Sequence, residues 1–256
     1  MTDNRCTALE IAPDLELYHS GPSLDSGEMP ALFYFALSGP DSLCTDPFNQ
    51  PVQFLRGRQI RIFSLTLPAH ENKLSPDDAL RVWAEEMTRG EDPLGRFLDA
   101  AQLAVEYAVR QKLADPKRIA VGGLSRGGLL ATLLAARAEE IQTVVGFAPL
   151  VRLNLAKEFH AMAHHPIVAS YDLSREAFKL ASKRLRYYIG NCDTRVNTRA
   201  CFDCVQEMVN AAQEQQIRSP QIEMIMSPSV GRMGHGTPPE VFKKGSQWIA
   251  ETLKIV

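Results

Sequence analysis

Arg118-Ile119-Ala120-Val121-Gly122-Gly123-Leu124-Ser125-Arg126-Gly127-Gly128-Leu129-Leu130 is the stretch that decides how the rest of the chain is read. It opens as a short apolar run suited to a buried strand, passes through glycines and continues as an Ala/Leu-rich helix, with Ser125 at the junction. G-x-S-x-G, here Gly123, Ser125 and Gly127, is the pattern of a sharp strand-to-helix turn that lifts a serine hydroxyl clear of the backbone, a nucleophile elbow. The backbone at such a serine is strained, so the residues two positions to either side must lack side chains.

Outward from the elbow, strands and helices alternate. Residues 31–37 (Ala-Leu-Phe-Tyr-Phe-Ala-Leu) and 141–147 (Ile-Gln-Thr-Val-Val-Gly-Phe) read as buried strands, and residues 58–65 as another. Residues 77–87 and 92–113 carry apolar side chains at helical spacing, the second set being Leu94, Phe97, Leu98, Ala101, Ala104, Val105 and Ala108. Asp46-Pro47 is expected to start a helix running to about residue 55, after a loop over 38–42. Residues 7–19 suit a small antiparallel hairpin and residues 20–30 a loop. Towards the end come a strand from 185, a helix over 198–216, a strand over 221–226 and a helix from about 239 to 253. Such alternation predicts an α/β fold with a doubly wound, mostly parallel sheet and a ligand site at the carboxyl ends of its strands.

Bulk properties narrow the function. The chain has 256 residues, 45% of them hydrophobic, enough for one extensive core, and a single domain over 1–256 is expected. A net charge of −2 gives no electrostatic reason to expect nucleic acid or an anionic membrane. No apolar run reaches the ~18 residues of a membrane span, and the first ten residues do not resemble a signal peptide. Five cysteines, an odd number at low density, point to a reducing compartment and a cytoplasmic protein.

The block from Leu113 to Gly128, Leu-Ala-Asp-Pro-Lys-Arg-Ile-Ala-Val-Gly-Gly-Leu-Ser-Arg-Gly-Gly, resembles the α/β-hydrolase superfamily, and within it the dienelactone hydrolase and prolyl oligopeptidase-type branches. The resemblance implies a serine hydrolase with Ser125 as nucleophile. Gly190-Asn191-Cys192-Asp193-Thr194-Arg195-Val196 resembles the G-x-x-D-x-x-V loop that carries the acid of the triad, which implies Asp193. His235, between Gly234 and Gly236, resembles the loop that presents the catalytic histidine, and the order Ser, Asp, His is that of the superfamily. The resemblance also implies that residues 150–184 form a small helical cap over the site.

Other positions stay open. The oxyanion is expected to meet the backbone N–H of Arg126, at the start of the elbow helix. Where the family usually carries His-Gly, this chain has Ser38-Gly39-Pro40-Asp41-Ser42. Pro40 has no N–H, so a second donor is expected from Asp41 or Ser42. The Arg126 side chain would meet either a carboxylate on the substrate or an acid of the protein, and His70, in the loop after the second sheet strand, is placed at the rim as a substrate contact. His160 and His164 would share a helix face, but no further ligand accompanies them or His165, so no metal is expected. Cys201-x-x-Cys204 falls inside a helix and reads as ordinary helix cysteines. No cofactor is expected. The substrate class is a small or medium carboxylic ester, with a short peptide, an amide or acyl transfer as alternatives. A catalytically inactive hydrolase fold used as a binding module is the non-enzyme alternative.

Overall fold

A computed structural model describes residues 6–71 and 74–255, the side chains of residues 76 and 77 excepted. The elements run β1 (Thr7–Ala12), β2 (Leu15–Ser20), β3 (Ala31–Phe35), α1 (Gly39–Cys44), α2 (Gln50–Leu55), β4 (Arg61–Ser64), α3 (Pro76–Thr88), α4 (Pro93–Arg110), β5 (Ile119–Leu124) and α5 (Arg126–Arg137). They continue with β6 (Ile141–Phe147), α6 (Pro166–Ser170), α7 (Ala177–Leu180), β7 (Arg184–Gly190), α8 (Thr198–Glu214), β8 (Ile222–Ser227) and α9 (Pro239–Thr252). One sheet takes the strands in the order β1-β2-β4-β3-β5-β6-β7-β8. The β1–β2 and β2–β4 pairs are antiparallel, and every pair from β4 to β8 is parallel.

The sheet is apolar on both faces because both are covered, and residue parity along each strand sorts the core into two layers. From β3, Ala31, Phe33 and Phe35 join one layer with residues of α3, α4, α5 and α8, while Leu32 and Tyr34 join the other with residues of α2 and α9. Likewise β7 sends Leu185, Tyr187 and Ile189 to the first layer and Tyr188 to the second. Each parallel neighbour is reached by a helix that crosses one face.

Two local expectations are corrected. Residues 38–42 are not a loop: Ser38 caps α1, its Oγ accepting the Asp41 N–H at 3.1 Å, with Pro40 in the first turn. A serine followed by Gly-Pro-Asp supplies a cap, a proline tolerated there and an acid near the positive end of the helix. The helix expected from Asp46-Pro47 begins later, as α2, and the Asp46–Pro47 peptide is cis.

The segment over 150–184 is built of short turns, 3₁₀ over Leu153–Leu155, Lys157–Met162 and Leu173–Glu176 and α-helical in α6 and α7. His160 lies in one such turn and His164 outside it, so the shared helix face does not form. Leu150, Val151, Leu153, Phe159, Val168, Tyr171, Leu173 and Leu180 are all buried in the first core layer. That packing ties the segment to α3, α5 and α8.

Arg61 of β4 is fully buried. Its guanidinium donates to the carbonyls of Gly27 and Leu113, both at 2.6 Å, and to those of Pro22, Ser23 and Leu24, pinning the 20–30 loop and the end of the α4–β5 connection to the sheet. Buried carbonyls that lose their donor keep the full desolvation cost. Arg61→Met is therefore expected to lower the unfolding free energy by roughly 3 kcal/mol or more in urea titration. A loss below about 1 kcal/mol would show that the guanidinium does not hold this corner together.

Candidate functional site

Ser125 links β5 to α5 at φ 55° and ψ −116°, a conformation that side-chain-bearing residues rarely adopt. Backbone bonds hold it from both sides. Its N–H donates to the Phe147 carbonyl at 2.9 Å, and its own carbonyl accepts the N–H groups of Gly128 and Leu150, both at 3.0 Å. Neighbours at the turn sit too close for side chains: a Cβ on Gly127 would lie 2.0 Å from the Phe35 oxygen, and one on Gly123 2.2 Å from the Gly127 carbonyl carbon. The elbow read from the sequence is thus a real turn, and it places Ser125 at the carboxyl end of the sheet.

Asp193 follows β7 and His235 follows β8, and both reach Ser125's end of the sheet. His235 Nδ1 lies 2.7 Å from Asp193 Oδ2 and Nε2 lies 2.9 Å from Ser125 Oγ. A carboxylate oxygen accepts, so Nδ1–H donates to Asp193 and the Nε2 lone pair faces the serine hydroxyl. The Asp193 side chain is 0% exposed and that of His235 11%. Asp193 Oδ1 accepts the N–H groups of Arg195 at 3.0 Å and Val196 at 3.1 Å, while its own N–H donates to Thr198 Oγ1 at 2.9 Å. The acid is therefore held on both oxygens and by its backbone, leaving one orientation for the imidazole it binds.

A cavity of about 270 Å³ opens beside Ser125 and His235. Leu37, Pro47, Phe48, Leu124 and Phe242 give it an apolar wall, and Arg126, Arg195 and Thr237 are its polar members. No residue of 150–184 lines it, so the segment expected as a cap does not shape this cavity. Arg195, Thr237 and the apolar wall were not singled out from the sequence. Arg195 is visible only once the turn around Asp193 is known.

The expected second oxyanion donors are also relocated. The Asp41 N–H donates to Ser38 Oγ and the Ser42 N–H to the Ser38 carbonyl at 2.9 Å, so both are engaged inside the α1 turn. Leu37 does line the cavity, and its N–H donates to Ser42 Oγ at 3.1 Å. Arg126 opens α5, where first-turn N–H groups have no partner within the helix.

His70 is 7% exposed and does not line the cavity, against the expectation of a rim contact. Its Nδ1 donates to the Pro68 carbonyl at 2.9 Å and, among the described residues, Nε2 has no hydrogen-bond partner. Burial holds its imidazole below the ordinary range, and the Arg126 charge adds to that. Cys201 and Cys204 are buried in α8, and burial pushes both thiols up, that of Cys204 to about 12, away from the thiolate that redox or metal chemistry needs. Among the described residues, no three of His, Cys, Asp and Glu converge as a metal site, and no helix is long and apolar enough to cross a membrane.

The dienelactone hydrolase family model matches residues 60–186, about half of the chain. No curated protein matches the sequence significantly. Among solved structures, TT1662 from Thermus thermophilus is 17% identical with a TM-score of 0.68, covering 98% of both chains. Prolyl oligopeptidase B from Galerina marginata is 17% identical with a TM-score of 0.68; the match covers 98% of this chain and 37% of that one. Thermogutta terrifontis esterase 2, captured phosphonylated by sarin, is 13% identical with a TM-score of 0.62, covering 97% of this chain and 94% of its own. At these identities the structural likeness is one of fold. Taken with the family match across the middle of the sheet, it makes the chain a dienelactone hydrolase-like member of the α/β-hydrolase superfamily.

Proposed function

We propose that the protein is a serine hydrolase that cleaves a small or medium carboxylic ester through an acyl-enzyme on Ser125. The observation that carries this reading is the unbroken chain of hydrogen bonds from Ser125 Oγ through His235 to Asp193, at the mouth of a cavity with an apolar wall. In the first step Ser125 Oγ attacks the ester carbonyl while its proton passes to His235 Nε2, and Asp193 stabilises the imidazolium. The carbonyl oxygen, now negative, is held by the Arg126 N–H at the positive end of α5. The alcohol leaves with the proton from His235. Water, deprotonated by the same imidazole, then attacks the acyl-enzyme and regenerates the serine.

The cavity volume lies just below the about 300–1,000 Å³ usual for pockets that bury a drug-sized ligand, which favours a compact acyl group. Two arginines on an otherwise mostly apolar wall favour a substrate bearing a negative charge. Of the two expectations for Arg126, a substrate carboxylate or an acid of the protein, this reading takes the first and adds Arg195 to it.

A fluorophosphonate probe is expected to label Ser125 stoichiometrically, with no adduct in Ser125→Ala and a rate lower by roughly 10³-fold or more in His235→Ala. Asp193→Asn is expected to lower kcat for a p-nitrophenyl ester by about 10³- to 10⁴-fold by releasing the imidazole tautomer. Absence of labelling in the folded wild-type protein would favour the binding-module reading. Better kcat/KM on aminoacyl arylamides than on esters would favour the peptidase reading.

Charge selectivity has its own measurement. A p-nitrophenyl ester whose acyl chain ends in a carboxylate should be preferred over its neutral isostere, and Arg195→Gln should reduce that preference by roughly 10-fold, mostly through KM. An unchanged preference in Arg195→Gln would remove Arg195 from the substrate contact.

A further inference from the structure

Cys6 and Cys44 are half-buried free thiols with no place in the chemistry above. Cys6 directly precedes β1 and continues its alternation, so it shares a face with Ala8, which opposes Tyr18 in the antiparallel pair. That face is the one α1 covers, since a Cβ on Gly39 would lie 2.1 Å from the Tyr18 ring. Cys44 is the last residue of α1, and both cysteines pack with Tyr18 and Phe48 against the second core layer. The Cys6 thiol meets that of Cys44 there in a side-chain hydrogen bond. The other cysteines are placed differently: Cys192 is exposed, and Cys201 and Cys204 are buried within α8.

We infer that Cys6 and Cys44 are a redox-responsive pair that closes to a disulfide by exchange with a low-molecular-weight disulfide such as oxidised glutathione. Burial, and after it the contact with Cys44, pushes the Cys6 thiol up to about 12, so Cys44 opens the exchange. Its thiolate attacks one sulfur of the small disulfide and expels one thiolate, which leaves a mixed disulfide on Cys44. Cys44 then carries no charge, and the part of the Cys6 rise that Cys44 causes is gone. Cys6 gives up its proton and attacks the Cys44 sulfur, breaking the bond to the second small thiol. The two protein thiols are oxidised, the small disulfide is reduced to two thiols, and these take the two protons. The link closes a loop of roughly 40 residues, and because the thiols already meet in the folded chain, the constraint falls mainly on the unfolded one. It also ties β1 to the segment that runs on from α1 into Pro47 and Phe48 of the cavity wall. The inference is independent of the catalytic reading.

The test equilibrates the full chain in glutathione buffers from reduced to oxidised, alkylates the free thiols and digests with trypsin. No Lys or Arg lies between Arg5 and Arg56, so both cysteines fall in the one peptide 6–56 and the other cysteines outside it. In oxidised buffer that peptide is expected unalkylated and lighter by two hydrogens, and the folded chain is expected to unfold roughly 5–15 °C higher than in reduced buffer. Cys6→Ser and Cys44→Ala should each abolish the gain, and Cys6→Ser should keep glutathione on Cys44. Alkylation of both cysteines in every buffer, glutathione on the wild-type peptide in place of the link, a link to a second copy of the chain, or a linked chain that unfolds no higher than the reduced one would each overturn the assignment. Should either variant fail to fold, the mass of the wild-type peptide and the two wild-type unfolding temperatures decide.

Discussion

The contact on which the rest of the site depends is the approach of the Gly127 backbone to the Phe35 carbonyl, where a single added carbon would lie 2.0 Å from the oxygen. That approach lets α5 leave β5 at once and run against the end of β3. It also forces Ser125 into its positive-φ conformation, because no gentler turn brings a helix so close to two strands. The strain is distributed over the neighbours that bind the turn: Phe147 of β6, Leu150 just beyond it and Gly128 within the helix. α5 is buried from Arg126 to Ala135, so its packing holds the turn in place. The same geometry points the positive end of the helix dipole at the serine.

This part of the fold was legible because it is written in local chemistry. Runs such as Ala31–Phe35 and Ile141–Phe147 are apolar without alternation, which only a strand covered on both faces allows. Asp193 and His235 were singled out by the resemblance of their loops to those of the superfamily, at the ends of strands that the apolar runs had already placed. What escaped was decided by tertiary packing or by ambiguity between neighbouring signals. Ser38-Gly39-Pro40-Asp41 is equally good chemistry for a loop and for a helix cap, and the Ser42 hydroxyl, which binds the Ala36 and Leu37 N–H groups at the end of β3, helps to settle it as helix. Over 150–184 the apolar spacing says helical but cannot separate 3₁₀ from α turns, nor say which surface the segment buries. Arg195 carries no spacing signal at all. It reaches the cavity because the turn around the Asp193 carboxylate requires its N–H.

The relation between the three site residues follows from strand spacing. Ser125 and Asp193 leave β5 and β7, which are separated by β6, so their strands are two spacings or about 10 Å apart. A carboxylate and a hydroxyl on those strand ends cannot meet, and an imidazole between them can touch both. The loop after β8 must therefore fold back over the end of β7. It does so through Gly234, at φ 73°, where a Cβ would lie 2.2 Å from the Cys192 carbonyl oxygen. The Thr194 N–H and hydroxyl both bind the Met233 carbonyl, the Cys192 N–H binds Ser229 Oγ at 2.7 Å, and the Gly236 N–H closes the loop on the Val230 carbonyl at 2.7 Å.

These bonds join the histidine loop to the aspartate loop more extensively than either is joined to the elbow. His235 and Asp193 thus rest on the loops after β8 and β7, and Ser125 on the turn between β5 and α5. Of the two strands beneath the His235–Asp193 pair, β8 is the more exposed.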